Sequence, residues 1–240
     1  MQGNPFAGAG YLLQGLGLIL KPRLRRFVLV PLAVNVILFG GLIWYGAGQF
    51  EALLDWLLPD WLDFLSWLLW PLFALTVLLV AFYGFTLVAN LIAAPFNGLL
   101  AEKVEAYLGG APADSASGWG DLLRGVPAAL GSELRKLMYF ALRAVPLLIL
   151  FLIPGLNLLA PLLWLAFSAW FLALEYADFP MANHGLGFKE QHRRLKQQRL
   201  TSLGFGAAAT LLTLIPVVNF VAVPAAVAGA TAFWQARLRG

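Results

Sequence analysis

The sequence contains no cysteine, which excludes disulfide bonds, thiolate metal sites and cysteine nucleophiles. It has only two histidines and few clustered carboxylates, so we expect neither a metal site nor a cofactor. A phosphate-binding glycine loop and a paired histidine–carboxylate arrangement are also missing from it. The sequence therefore predicts no catalytic residues and a protein that is not an enzyme.

The sequence also has few charged residues, and it contains long apolar stretches. Charged residues make up 12% of the chain and hydrophobic residues 61%, too apolar a composition for the surface of a soluble domain. No Asp, Glu, Lys or Arg occurs between Asp63 and Glu102, a stretch longer than the roughly 20 residues of one bilayer crossing. These features predict an all-α integral membrane protein that is surrounded by the lipid bilayer and binds no nucleic acid.

Two long transmembrane helices are predicted, at residues 24–50 and 64–107. Basic residues precede the first helix, and basic flanks mark the cytoplasmic side of a membrane. Residues 5–20 are too few to span at about 1.5 Å per residue, so we expect an amphipathic helix at the interface there. A basic helix on the cytoplasmic side is predicted at residues 122–143. The chain is treated as one membrane domain, 1–240.

Residues 144–174 and 203–234 predict an internal repeat of two helical hairpins. Each arm has about a dozen residues, roughly 18 Å of helix, which is less than one crossing. We therefore expect re-entrant hairpins that are partly inserted in the membrane, with tips covered in a homo-oligomer. The alternative is two ordinary helix pairs with proline in their loops. The recurring residues are Leu152-Ile153-Pro154, Asn157 and Ala160, which match Leu214-Ile215-Pro216, Asn219 and Ala222.

The start of the first long helix predicts an anion-binding site. Pro22 suits a first helical turn, where the residues after it offer backbone N–H groups, a partial positive charge and guanidiniums. A tetrahedral dianion would fit such a site. From spacing alone, the stronger interpretation is that these basic residues are flanks that orient the helix. The site is predicted to comprise Arg25, Arg26 and the backbone of Leu24, with Gly15, Leu16, Gly17 and Arg23 in the surrounding pocket.

A second polar cluster lies near the end of the second long helix. Pro95 and Gly98 loosen the helix there, which lets Asn97 and Glu102 present polar groups at the cytoplasmic mouth of a pore. The alternative is that Glu102 and Glu105, one turn apart, form ion pairs at the membrane interface, with Lys103 or with distant arginines.

Several long motifs follow one another along the chain: Pro22–Pro31, Ile92–Glu102, and Ala166–Trp170 followed by Tyr176 and Asp178. In this order they closely resemble the CysZ family of bacterial sulfate transporters, over nearly the whole chain. The resemblance implies a multi-pass protein of the bacterial inner membrane that takes up sulfate for cysteine biosynthesis without hydrolysing ATP. It also implies an oligomer whose hairpins penetrate only part of the bilayer.

The family ties a Gly-Leu-x-Leu-Ile motif and a following arginine pair to sulfate binding. These match Gly15 to Ile19, and Arg25 with Arg26, whereas the family often has glycine where this chain has Arg23. The sequence leaves open whether sulfate moves through a channel or an ion-coupled carrier. A different hypothesis is a membrane scaffold or assembly factor that transports nothing.

Overall fold

The computed structural model describes residues 3–57, 65–110 and 119–239, and these residues are helical, with no strand among them. The all-α prediction is confirmed. Residues 58–64, which include the first residue of the predicted second transmembrane helix, and residues 111–118 lie outside the described part of the chain. The helices are α1 (Pro5–Ile19), α2 (Arg26–Leu57), α3 (Ser66–Tyr107), α4 (Trp119–Leu152), α5 (Ala160–Asn183), α6 (Phe188–Gln197), α7 (Arg199–Thr213) and α8 (Pro216–Phe233).

The chain divides into two compact units, where the sequence analysis treated it as one membrane domain. The larger unit comprises Met1–Arg26 and Asn97–Gly240, and the smaller unit comprises Phe27–Phe96. In the smaller unit, α2 and α3 meet through aromatic rings. Phe50 stacks on Phe73 with 4.0 Å between the ring centroids, and Trp70 meets Phe50 edge-on at 5.2 Å.

Two helical segments are long and apolar enough to cross a membrane, among the residues that the structure describes. They are Arg26–Phe50 and Ala160–Asn183. The first lies in the predicted first transmembrane helix. The second is the second arm of the first predicted hairpin, and at 24 residues α5 is longer than the predicted dozen.

The predicted boundary at residues 143 and 144 is not a helix boundary. Helix α4 continues without a break from Trp119 to Leu152, so the predicted basic helix and the first hairpin arm are one helix. The sequence changes there from basic to apolar, but a change of polarity leaves the backbone hydrogen bonds intact. The helix ends instead near Gly155, where the backbone adopts a positive φ.

Both predicted helix breaks are present, and an equivalent backbone hydrogen bond forms at each of them. The Asn157 N–H donates to the Ile153 carbonyl at 3.0 Å, and the Asn219 N–H donates to the Ile215 carbonyl at 2.9 Å. The first break is longer, because Gly155 adopts a φ of 84° that favours glycine and a 3-10 turn, Leu156–Leu158, follows it. The second break has no glycine at that place, and α8 begins directly at its proline.

The first hairpin is held together at its base by a nearly buried lysine. Lys136 on α4 donates to Asp178 at 2.8 Å and to Glu175 at 3.3 Å, both on α5. Gln191 on α6 donates to the same Asp178 and to the Leu186 carbonyl. Because this lysine has carboxylate partners on the neighbouring helix, its charge is compensated in a site with little water.

Helix α1 lies in the core of the larger unit, packed against α7 and α8 of the second hairpin. Glycines allow the backbones to approach closely. A Cβ atom added to Gly15 would meet the Ala225 carbonyl oxygen and would lie 2.6 Å from the Gly229 nitrogen on α8. A Cβ atom added to Gly8 would similarly meet the Thr201 backbone on α7. Small residues at helix contacts are a common packing solution in membrane proteins.

We predict that Gly15→Ala destabilises the protein, whereas Gly17→Ala does not. The added methyl group at Gly15 has backbone atoms in its way, and overpacking of this kind typically costs about 1–3 kcal/mol. Gly17 is on the same helix but has open space around it, so alanine there should be neutral or slightly stabilising. Thermal unfolding of the two variants in detergent measures the difference. Equal melting temperatures would contradict the close packing of α1 against α8.

Candidate anion-binding site

A tight turn joins α1 to α2 and carries the predicted arginines. The Lys21 carbonyl accepts two hydrogen bonds at 2.9 Å, from the N–H groups of Leu24 and Arg25. Pro22 has no N–H, and the Arg23 N–H donates no backbone hydrogen bond within the described part of the chain. The donor that the sequence assigned to Leu24 is therefore already used in the turn, and Arg23 offers the unused one.

This turn forms part of an open groove of about 570 Å³. Its cationic side chains are Arg23, Arg26 and Lys103, and no carboxylate is among the described residues that line it. Charges of one sign that converge on a concave surface raise the local concentration of oppositely charged ions. The groove is therefore suited to an anion. Its lining residues are Pro22, Arg23, Leu24, Arg26, Lys103, Ala106 and Tyr107.

The groove includes part of the predicted arginine set. Arg26 and Leu24 line it, as predicted, and Arg23 from the surrounding pocket lines it as well. Arg25 is exposed and does not line it. The turn is helical in character, so residues three apart share a side while their neighbours point elsewhere. Arg23 and Arg26 are such a pair.

The glycine motif has a packing role in this structure. Gly15 is buried at the contact between α1 and α8, and Leu16 is half-buried. Gly17 is exposed. Leu18 and Ile19 complete the buried face and end the helix directly before the turn. The motif therefore fixes where the turn begins, and none of its residues lines the groove.

The two predicted pore residues lie on the last turns of α3, and the structure does not bring them together. Asn97 is 9% exposed, beside a contact in which the Asn183 amide donates to the Gly98 carbonyl at 2.9 Å. Glu102 accepts a hydrogen bond from Lys103 at 2.7 Å. Glu102 and Lys103 thus form an ion pair, as in the alternative of the sequence analysis.

Glu105, which the sequence analysis considered only as a partner in an interface ion pair, lies one turn further along α3 and is buried. Glu105 is only 1% exposed, and its oxygens lie 2.9 Å from His184 Nε2 and 3.0 Å from Arg239 Nη1. His184 follows α5, and Arg239 is near the chain terminus. These partners are 79 and 134 residues away in sequence, and a local sequence pattern does not predict which distant residues meet in the fold.

Helix α6 holds the same terminal segment from a second side. Arg194 donates to the Leu238 carbonyl at 2.6 Å and to Glu190 at 2.8 Å. Hydrogen bonds from Arg193 and Arg194 lower the pKa of Glu190 to about 2, so this carboxylate stays charged at physiological pH. Glu105 and α6 together fasten the π-helical turn Trp234–Leu238 to the larger unit.

Comparisons with known proteins match nearly the whole chain. A family model described as sulfate transporter CysZ/etoposide-induced protein 2.4 matches residues 11–224. A protein named sulfate transporter CysZ from Pseudomonas fluorescens (strain Pf0-1) is 51% identical over 95% of this chain and 92% of its own length. Proteins of the same name from Pseudomonas paraeruginosa (strain DSM 24068 / PA7) and Pseudomonas syringae pv. tomato are 48% and 49% identical. They cover 95% and 98% of this chain, and 94% of their own lengths.

We predict that Glu105→Gln lowers the stability of the protein. Glutamine keeps the size of the side chain but removes the charge that His184 and Arg239 contact, and a charge-assisted hydrogen bond contributes about 1.5–3 kcal/mol. Thermal unfolding in detergent, with carboxypeptidase digestion as a probe of the terminal segment, measures the effect. The control is Lys189→Gln, which removes an exposed charge on α6 and should change the melting temperature less. A larger loss in the control would contradict the structural role of Glu105.

Proposed function

Because the chain belongs to the CysZ family of sulfate transporters, we propose that it carries sulfate across the bacterial inner membrane, as a multi-pass protein. It is a transporter and not an enzyme. The scaffold hypothesis is not favoured, because proteins that are 51% and 49% identical to this chain over nearly its whole length are named sulfate transporters. The structural observation that supports the proposal most directly is the cationic groove.

Sulfate is bound in this groove, at the N-terminal end of α2. A dianion loses a large hydration energy when it leaves water, and guanidiniums offset this cost through charge-assisted hydrogen bonds. Arg26 and Arg23 line the groove, and the Arg23 N–H adds a backbone donor. Arg25 is on the same turn and contributes positive potential from outside the lining. Leu24 is 1% exposed and anchors the turn.

The apolar surface of both hairpins is suited to lipid. On α4, the side chains from Leu134 to Leu152 include many exposed apolar ones, and the tip residue Leu158 is 79% exposed. Such a surface is far more extensive than the scattered apolar residues of a soluble protein. We place it within the bilayer.

Both hairpins are re-entrant in this proposal, because their apolar arms are short. Helices α7 and α8 have 15 and 18 residues, roughly 22 and 27 Å, against a hydrocarbon core of about 30 Å. In the first hairpin, α4 has Arg143 about 14 Å before its end, and α5 reaches Glu175 after about 22 Å. Although α5 as a whole is long enough to cross, its last turns carry Glu175 and Asp178, which pair with Lys136.

The protein is a homo-oligomer in this proposal. Asn157 and Asn219 at the hairpin tips are exposed, and so is the backbone break beside each of them. Irregular backbone at membrane depth needs cover from protein or from a water-filled cavity. A second copy of the chain provides such cover without further components.

We predict that Arg25→Ala with Arg26→Ala weakens sulfate binding by at least about tenfold, equivalent to about 1.4 kcal/mol. Of the single variants, Arg26→Ala should be the more damaging, because Arg26 lines the groove and Arg25 does not. Calorimetric titration with sulfate, together with uptake of labelled sulfate by proteoliposomes, measures both effects. The matched control is Arg199→Ala, an exposed arginine outside the groove. Unchanged affinity in a folded double variant would reduce the two arginines to flanking charges.

We predict that the base of each hairpin is accessible from one side of the membrane and that its tip is not accessible from the other side. The natural absence of cysteine allows single cysteines at Arg135, Gln197 and Arg237, which are exposed base positions, and at Asn157 and Asn219. Membrane-impermeant maleimide should label the three base positions from the same side. Labelling of Asn157→Cys or Asn219→Cys from the opposite side would mean that the hairpins cross completely.

A further inference from the structure

We infer that Lys103 on α3 is a further sulfate ligand, and that Glu102 regulates it by competing with sulfate for its ammonium group. The inference rests on the proposed function, since it assigns an additional residue to the same groove. Neither residue belongs to the turn between α1 and α2, where the glycine motif and the arginines lie. It is therefore a second helix that completes the site.

The groove is built from two segments of the larger unit that are distant in sequence. One is the turn with Arg23 and Arg26, and the other is the end of α3, where Lys103, Ala106 and Tyr107 line the same space. Residues three and four apart share one face of a helix, so these three residues form a continuous stripe along α3. In this stripe a flexible ammonium and a phenolic hydroxyl both provide donors, with a small residue between them.

The contact between Lys103 and Glu102 explains how this ammonium is held before sulfate binds. The Lys103 Nζ lies 2.7 Å from Glu102 Oε1, and the side chains are 44% and 22% exposed. Successive residues on a helix do not face each other, so the lysine bends along the helix surface to make this pair. Within the described residues, Lys103 has no other ion pair. An exposed pair of this kind is weak and readily exchanged.

The exchange has a simple charge balance. Without sulfate, Glu102 neutralises Lys103 at the edge of a groove that already contains Arg23 and Arg26. When sulfate enters, the dianion offers the ammonium two charges in place of one, and Lys103 can turn from the carboxylate toward the groove. Glu102 then returns to water, to which it is partly exposed. The carboxylate therefore lowers the affinity for sulfate, and it does so through Lys103.

The experiment is a double-mutant cycle on sulfate affinity, measured by calorimetric titration of the full-length protein in detergent. Lys103→Gln should weaken sulfate binding by about tenfold, and Lys103→Arg should keep most of the affinity because the charge is retained. Glu102→Gln should strengthen binding by several-fold. In the Lys103→Gln background, the Glu102→Gln change should have no further effect, because the lysine through which Glu102 acts is gone. Lys196→Gln, an exposed lysine on α6, is the matched control.

Each outcome decides a separate point. If Lys103→Gln binds sulfate like the unmodified protein, Lys103 is not a ligand. If Glu102→Gln strengthens binding equally with and without Lys103, Glu102 acts only as a general negative charge and the exchange is overturned. If the unmodified protein binds no sulfate in the groove, the proposed function itself fails. The size-exclusion profile of each variant should match that of the unmodified protein, as a check that the variant is folded.

Discussion

The position of α1 against the second hairpin is the constraint on which the candidate site depends. Gly15 on α1 and Gly229 on α8 bring two helix backbones into direct contact, which larger residues would prevent. Helix α1 ends at Ile19, within four residues of this contact, and the turn with the arginines follows directly. The packing of two glycines thus fixes the start of the turn. A motif that the family ties to sulfate acts here through the backbone geometry that it imposes.

The sequence predicted most of the helical architecture, because helices and their breaks are determined mainly by residues that are close together in the sequence. Pro154 and Pro216 predict the positions of the two tips. The N–H groups of Asn157 and Asn219 donate equivalent backbone hydrogen bonds there. The boundary at Arg143 was wrong, because it was inferred from a change in polarity, and α4 continues through it. Helix length near 160–183 was also underestimated, since the charged residues of its last turns were treated as lying outside the arm.

The candidate site could be predicted only in part, for a different reason. Arg26 and Arg23 are within one turn of each other, so local chemistry identified them. Lys103 enters the same groove from α3, and Glu105 is buried by partners 79 and 134 residues away. Contacts of this range depend on how helices pack, which one sequence does not reveal. Local reasoning finds the half of a site that lies on one segment and misses the half contributed by another.

The placement of charge separates structural sites from the proposed transport site. Glu105 and Lys136 are almost fully buried, and each contacts at least one partner of opposite charge on a distant segment, which ties these segments together. The groove instead brings Arg23, Arg26 and Lys103 to an open position with no carboxylate in its described lining, and Glu102 pairs with Lys103 at its edge. A transporter must bind its ion strongly enough to remove it from water and weakly enough to release it. Buried, fully paired arginines would fail the first requirement, and an uncompensated cluster of three cations would fail the second. A weak internal competitor at the edge of the groove satisfies both.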